Sequence, residues 1–230
     1  MRSGSACQPV SGCEGYACRE ESMPDRWVAV IAAGAFTLAF LAGVVLLGEI
    51  LGTLGDPDYA FTDHYASGSR RAGDIAGGAS LVVAAIALVI FGAAVRSSLV
   101  DGISADVAGQ TIGGAALVMA VVGGLFATTP ISMSYGGLFD DAGQFDGGHA
   151  AVLPQAATVV LLVVVYPIAA VGVAAIALAA RPARIFPRWH FQLSMACAAL
   201  MPLAFFFLPI LALPIWTGAT AVALWRGPAA

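Results

Sequence analysis

Lysine and asparagine are absent from this chain of 230 residues. Charged residues of every kind make up only 10% of it, against about 25% in average soluble domains. That is too few to cover a water-soluble surface of this size, so lipid must solvate most side chains. No basic run or stripe is present, which argues against nucleic acid as a partner. The four cysteines also lack a metal-binding pattern. Cys7, Cys13 and Cys18 lie in the N-terminal tail with no C-x-x-C pair and no nearby histidine, unlike known zinc spacings. In a cytoplasmic tail they are expected to stay reduced. Cys197 lies inside an apolar run and reads as a small hydrophobe.

What is present is apolar. Hydrophobic residues are 60% of the chain and the mean hydropathy is +0.89. Apolar stretches near 27–50, 75–95, 107–127, 155–180 and 189–225 fill most of the sequence. About 20 such residues cross roughly 30 Å of hydrocarbon. The expected fold class is an all-α polytopic transmembrane bundle. Its spans are expected near 27–48, 74–95, 107–127, 155–178, 189–207 and 210–225. Residues 1–26 read as an unstructured cytoplasmic tail, with Met23 as an alternative start, and 227–230 as a second tail. The first span is too long for a signal-peptide core and no A-x-A-like site follows it.

The last run decides the number of spans. Trp189 to Trp225 is too long for one crossing and just long enough for two at 1.5 Å per residue. Pro209 sits near its midpoint, which predicts a tight hairpin and six spans. The alternative is five spans, with Pro209 and Pro214 leading into an irregular tail.

Arginine placement sets the orientation, because Lys and Arg near span ends favour the cytoplasm. With the N-terminus inside, Arg26, Arg96, Arg181, Arg184, Arg188 and Arg226 all border the cytoplasm. Only Arg70 and Arg71 fall outside. Trp27, Trp189 and Trp225 then share one interface, where indole rings favour the headgroup level. Both termini are expected to be cytoplasmic.

Helix contacts are expected at Gly73-x-x-x-Gly77 and Gly109-x-x-x-Gly113, whose small-residue spacing lets backbones approach. Pro167, Pro202 and Pro214 are expected to kink their helices. Gln110, Gln155 and Gln192 are candidates for interhelical hydrogen bonds. Ser104 and Asp106 are candidate N-caps for the third span. No ionisable residue falls near a span centre, which weakens proton-coupled transport.

Chemistry, if present, is expected on the outer face. Asp63-His64 lies in the first outer loop, and Asp146-Gly147-Gly148-His149 closes the second. Glu49, Asp140 and Asp141 share that side by topology. His64, His149, Asp63 and Asp146 are the candidate metal ligands. Such a set would suit Zn²⁺ with an open position for a water that attacks an ester or amide. The simpler reading is that outer loops are polar and that Asp and Gly favour turns. The H-E-x-x-H spacing does not occur. His190, beside Arg188 and Trp189, reads as an interfacial residue or a lipid-headgroup contact. No other cofactor is expected.

Three places carry a family likeness. They are Tyr65-Ala66-Ser67-Gly68-Ser69-Arg70-Arg71, Gly92-Ala93-Ala94-Val95-Arg96 and Phe186-Pro187-Arg188-Trp189 before the Pro-interrupted hairpin. With them the region from Trp27 to Trp225 resembles uncharacterised actinobacterial six-helix integral membrane proteins of domain-of-unknown-function type. The likeness implies topology and no activity. The lack of Lys and Asn, whose codons are A-rich, also predicts a gene of high GC content and a bacterial source.

The leading functional expectation is a non-enzymatic multi-pass protein of a bacterial plasma membrane, acting as a scaffold or as an accessory subunit of a membrane complex. Its expected partners are the lipid bilayer and a second protein or further copies of itself. One alternative is a carrier or channel for a small neutral or lipid-like solute. Another is a metal-dependent hydrolase with an outward-facing site.

Overall fold

A computed structural model describes residues 6–9, 16–19, 23–48, 50, 64–99, 102–139, 147–182, 185–206 and 208–226. Two four-residue strands, β1 (Ala6–Pro9) and β2 (Tyr16–Arg19), pair antiparallel in the tail that was expected to be unstructured. A lone two-stranded pair is marginal in water, so it is a local fold-back of the tail and not a second domain. The rest is an α-helical bundle, as expected. Its helices are α1 (Met23–Leu46), α2 (Gly68–Ser98), α3 (Ile103–Phe139), α4 (Gly147–Val160), α5 (Tyr166–Ala180), α6 (Arg188–Leu200) and α7 (Ala212–Arg226). One helical turn at 64–66 precedes α2. Among the described residues, four helical stretches are long and apolar enough to cross a membrane: Trp27–Leu46, Gly68–Ser98, Ile103–Ile131 and Val152–Ala180.

Helices α2 and α3 outrun the apolar runs that announced them, whereas α6 stops at Leu200, short of the expected 207. At 31 residues, α2 is about 46 Å long at 1.5 Å per residue, well beyond a hydrocarbon core. It starts at Gly68, six residues before the expected Asp74, because hydropathy marks where lipid would be and not where hydrogen bonding stops. Likewise α3 continues past the expected end at Ala127 and through Pro130 to Phe139. Pro130 removes one backbone donor. In the turn before it, the hydroxyls of Thr128 and Thr129 donate to the carbonyls of Gly124 and Leu125 at 2.8 and 2.7 Å. The second outer loop, expected over Thr128 to His149, is correspondingly shorter.

Helix α2 runs antiparallel to both α1 and α3. Gly77 of α2 meets Leu47 beyond the end of α1, and Gly43 meets Leu81. The closest approach joins α2 to α3. A Cβ on Gly78 would lie 2.5 Å from the Gly123 carbonyl oxygen, and one on Gly123 would lie 2.6 Å from that of Gly78. Only glycine at both places lets the backbones touch. The expected pair Gly109 and Gly113 makes no such crossing: nothing approaches Gly113, and Gly109 meets only the Arg96 stem. Asp106 caps nothing by its side chain among the described contacts. It accepts a 2.9 Å hydrogen bond from the Arg96 guanidinium across the short α2–α3 connector.

From α4 to α5 the rod is continuous, but Leu161–Val165 form a π turn just before Pro167. A proline ring collides with the carbonyl four residues earlier, and a wider turn relieves that collision. The run from Trp189 to Trp225 folds back on itself. Two 3₁₀ segments, Met201–Phe206 and Leu208–Leu211, flank its bend, and α6 packs antiparallel to α7. The stretch from Ala212 to Arg226 is thus helical, while α6 and α7, at 13 and 15 residues, are not among the four membrane-length stretches. The Tyr166 hydroxyl donates to the Ile210 carbonyl at 2.7 Å and so secures the bend to α5. At the far end of α7, Trp225 meets Trp27 edge-on with ring centroids 4.5 Å apart.

Apolar side chains divide between two sides of each helix. On α2 the residues Leu81, Ala84, Leu88, Phe91 and Val95 are buried, at a spacing of three and four. Between them Val83, Ile86, Val89 and Ile90 are exposed. The same holds on α1, where Phe36 and Phe40 are buried while Leu38 and Val45 are more than 70% exposed. A helix apolar on both faces suits a lipid surround.

Candidate functional site

Two histidines are buried in the bundle, toward opposite ends. His190 is fully buried, which corrects the expectation that it meets lipid headgroups. It lies in the first turn of α6, on the side facing α7, while its neighbours Arg188 and Trp189 point outward. Thr220 donates to the Trp216 carbonyl at 2.8 Å, so its oxygen is left to accept from His190 Nε2 at 2.9 Å. Nδ1 is then the acceptor, and Ser194 donates to it at 3.4 Å. Ser194 in turn accepts from the Trp216 indole at 3.1 Å. The circuit begins and ends on Trp216, and every polar group in it has its partner. Trp216 also meets Phe91 of α2 edge-on at 5.7 Å, and Thr37 of α1 bonds Thr217 of α7 at 3.4 Å. The ring therefore joins α6 and α7 and carries them onto α1 and α2. Among the described residues none of the glutamines expected to make such bonds does so: Gln110 and Gln192 are exposed and Gln155 is half-buried.

The second cluster lies at the other end, where the turn at 64–66 meets α2. His64 and Asp74 are 3% and 1% exposed. Their Nε2 and Oδ2 atoms are 2.8 Å apart. A carboxylate only accepts, so the imidazole nitrogen carries the proton. Tyr65 lies edge-on to the His64 ring at 5.1 Å. Its hydroxyl is buried and has no hydrogen-bond partner. Burial first, and the Asp74 charge second, push this phenol well above its ordinary pKa of 10.0. Polar groups this deep are nearly always paired, and an exception marks a site for water, an ion or a reaction.

Of the expected metal ligands, His64 is described, and its Nε2 is engaged by Asp74. Metal-binding histidines commonly hold a carboxylate in this way. Asp63 and Asp146 lie outside the described residues, and so does the side chain of His149. Among the described residues, no three His, Cys, Asp or Glu side chains stand together as metal ligands. Asp74 and Tyr65 were not singled out by sequence. The available signal was one acidic residue, Asp74, a turn beyond Arg70 and Arg71 at the start of an apolar helix.

Comparison with protein-family models, with curated proteins and with solved structures finds no match to this chain.

Proposed function

We propose that the chain is a six-span protein of a bacterial plasma membrane with both termini in the cytoplasm, and that it serves without catalysis as a scaffold or as an accessory subunit of a membrane complex. The observation that carries this reading is the closed ring around His190. It spends the polar groups around Trp216 on one another and ties the last hairpin to the first two helices, as a stiff platform requires. Arg96, Arg181, Arg188 and Arg226 lie at one end of the antiparallel helices, which suits the positive-inside rule. The resemblance to actinobacterial six-helix proteins supports the same topology.

Purification in native nanodiscs tests the role. An assembly larger than one chain, holding either a partner or further copies, is the expected result. A lone monomer recovered at every stage counts against it. Labelling of single cysteines placed at Ser97 and Ser67 tests the topology, with reaction expected from the cytoplasmic and the outer side respectively.

A second reading, a carrier for a small neutral or lipid-like solute, draws on the π turn at Leu161–Val165. Such turns are frequent at functional sites. Solute flux through reconstituted vesicles that is lost when Pro167 is replaced by Ala would favour it over the scaffold.

A further inference from the structure

We propose that Cys7 and Cys18 form a reversible disulfide that locks the two strands of the N-terminal tail together. The observation that carries this is the register. Strands β1 and β2 pair antiparallel with Cys7 directly opposite Cys18, between Ala6 opposite Arg19 and Gln8 opposite Ala17. Residues opposed in this way share a face of the pair, because faces alternate along each strand.

The type of pairing follows from the proline. Opposed residues in an antiparallel ladder alternate between pairs that exchange two hydrogen bonds and pairs that exchange none. Pro9 stands opposite Tyr16 and has no N–H to exchange. Pro9–Tyr16 is therefore a non-hydrogen-bonded pair, and Cys7–Cys18, two residues along, is of the same type. Such pairs bring Cα atoms to about 4.5 Å, inside the roughly 4.4–6.8 Å that a disulfide bridges. Of the other cysteines, Cys13 lies outside the described residues and Cys197 is buried in the bundle.

A small-molecule disulfide such as oxidised glutathione supplies the oxidising equivalents. One cysteine thiolate attacks it, forms a mixed disulfide and releases one glutathione thiolate. The second cysteine thiolate attacks the protein sulfur of that mixed disulfide and releases the other. Counted from the thiols, the protein gives up two protons and two electrons, and the oxidant is reduced to two thiols. The consequence is structural. A lone two-stranded pair is marginal in water, and a cross-link removes freedom from the open chain. The reduced tail thus opens readily, while the oxidised tail stays paired. With the tail in the cytoplasm, as proposed above, its thiols are reduced at rest, so the bond forms under oxidative stress and switches the tail's structure. That role rests on the proposed topology, which the labelling at Ser97 and Ser67 decides separately. The pairing of Cys7 with Cys18 does not.

The test uses the full chain in nanodiscs, treated with oxidised glutathione or with dithiothreitol. Remaining thiols are blocked with N-ethylmaleimide and the peptides are mapped by mass spectrometry. One internal cross-link, Cys7 to Cys18, is expected, with Cys13 carrying the maleimide and dithiothreitol reversing the bond. Chymotrypsin reports the structure, since Tyr16 is in β2 and cleavage after it tracks the open population. Cleavage is expected to be at least tenfold slower in the oxidised chain than in the reduced one. Cys13→Ser should keep that difference, and Cys7→Ser should abolish it. A cross-link that uses Cys13, bonds only between separate chains, or three glutathione adducts without an internal bond each overturn the proposal. Equal cleavage of the oxidised and reduced chains overturns it as well.

Discussion

The histidine near Trp216 and the histidine near Tyr65 are buried to the same degree, yet their surroundings differ in completeness. Around His190 each donor meets an acceptor, and the chain of bonds returns to the residue where it started. Around His64 the bonding stops at Asp74 and leaves a phenol unused. A finished network stabilises and has nothing left to offer a ligand. An unfinished one costs stability and keeps capacity for something that arrives later, in keeping with the general trade between stability and function. The contrast predicts that polar deletions should be damaging in the first cluster and tolerated in the second.

The largest effect is expected from Trp216→Ala. This side chain is fully buried, packs on Phe91 and supplies the indole donor of the ring. Its loss opens a cavity and leaves Ser194 without its donor, which should cost about 3–5 kcal/mol. Reversible unfolding in detergent, followed by the remaining tryptophans, measures it. A cost under about 1 kcal/mol would mean that the ring does not hold the bundle together.

Thr220→Val is next. Valine matches threonine in shape, so the change removes the acceptor of His190 Nε2 while largely preserving packing. A stranded imidazole N–H in a buried site should cost about 1–2 kcal/mol, toward the upper end of what single bonds contribute between membrane helices. If the double variant His190→Leu with Thr220→Val is more stable than Thr220→Val alone, the penalty belongs to the stranded group and not to the lost contact.

This asymmetry was only partly legible in the sequence. Alternating arginines and apolar runs are long-range averages, and they anticipated an all-helical bundle, the hairpin in the last run and the company of Trp27 with Trp225. The clusters depend on details that averages erase. His190 follows Arg188 and Trp189, and its neighbours suggest a headgroup contact. One residue is about 100° of helix rotation, which is enough to turn it from lipid to interior. Asp74 looked like the boundary of a span. The helix in fact begins at Gly68, so Asp74 sits nearly two turns inside it and reaches back to His64. The contact between Gly78 and Gly123 joins glycines on different helices, where no spacing within either helix could show it. Of the expected pairs, Gly77 does meet Leu47 closely while Gly109 and Gly113 do not, and the tightest approach depended on which faces met.

A smaller effect is expected for Asp74→Asn. The amide oxygen still accepts from His64 Nε2, and the desolvation cost of a buried carboxylate disappears. Stability should therefore change by less than about 1 kcal/mol. A loss of several kcal/mol would place Asp74 beside Trp216 as a structural member and erase the distinction between the clusters.

Tyr65→Phe gives the smallest effect near neutral pH and the clearest one in alkali. Deleting an unpartnered hydroxyl removes a desolvation penalty, so the variant should be more stable by up to about 1 kcal/mol. The pH dependence follows from the direction of the phenol's shift. In the folded chain burial and the Asp74 charge keep the hydroxyl protonated above its ordinary pKa of 10.0. The unfolded chain ionises there and so binds fewer protons than the folded one. Stability must then fall as pH rises past that value, at about 1.4 kcal/mol per pH unit for one group. Other tyrosines are common to both proteins and cancel in the difference between them. Melting curves of wild type and Tyr65→Phe, measured from pH 9 upward, should therefore diverge above pH 10, with the variant the more stable. Parallel curves would mean that the Tyr65 hydroxyl is solvated or partnered in the folded chain, and the cluster would then be as complete as the ring around His190.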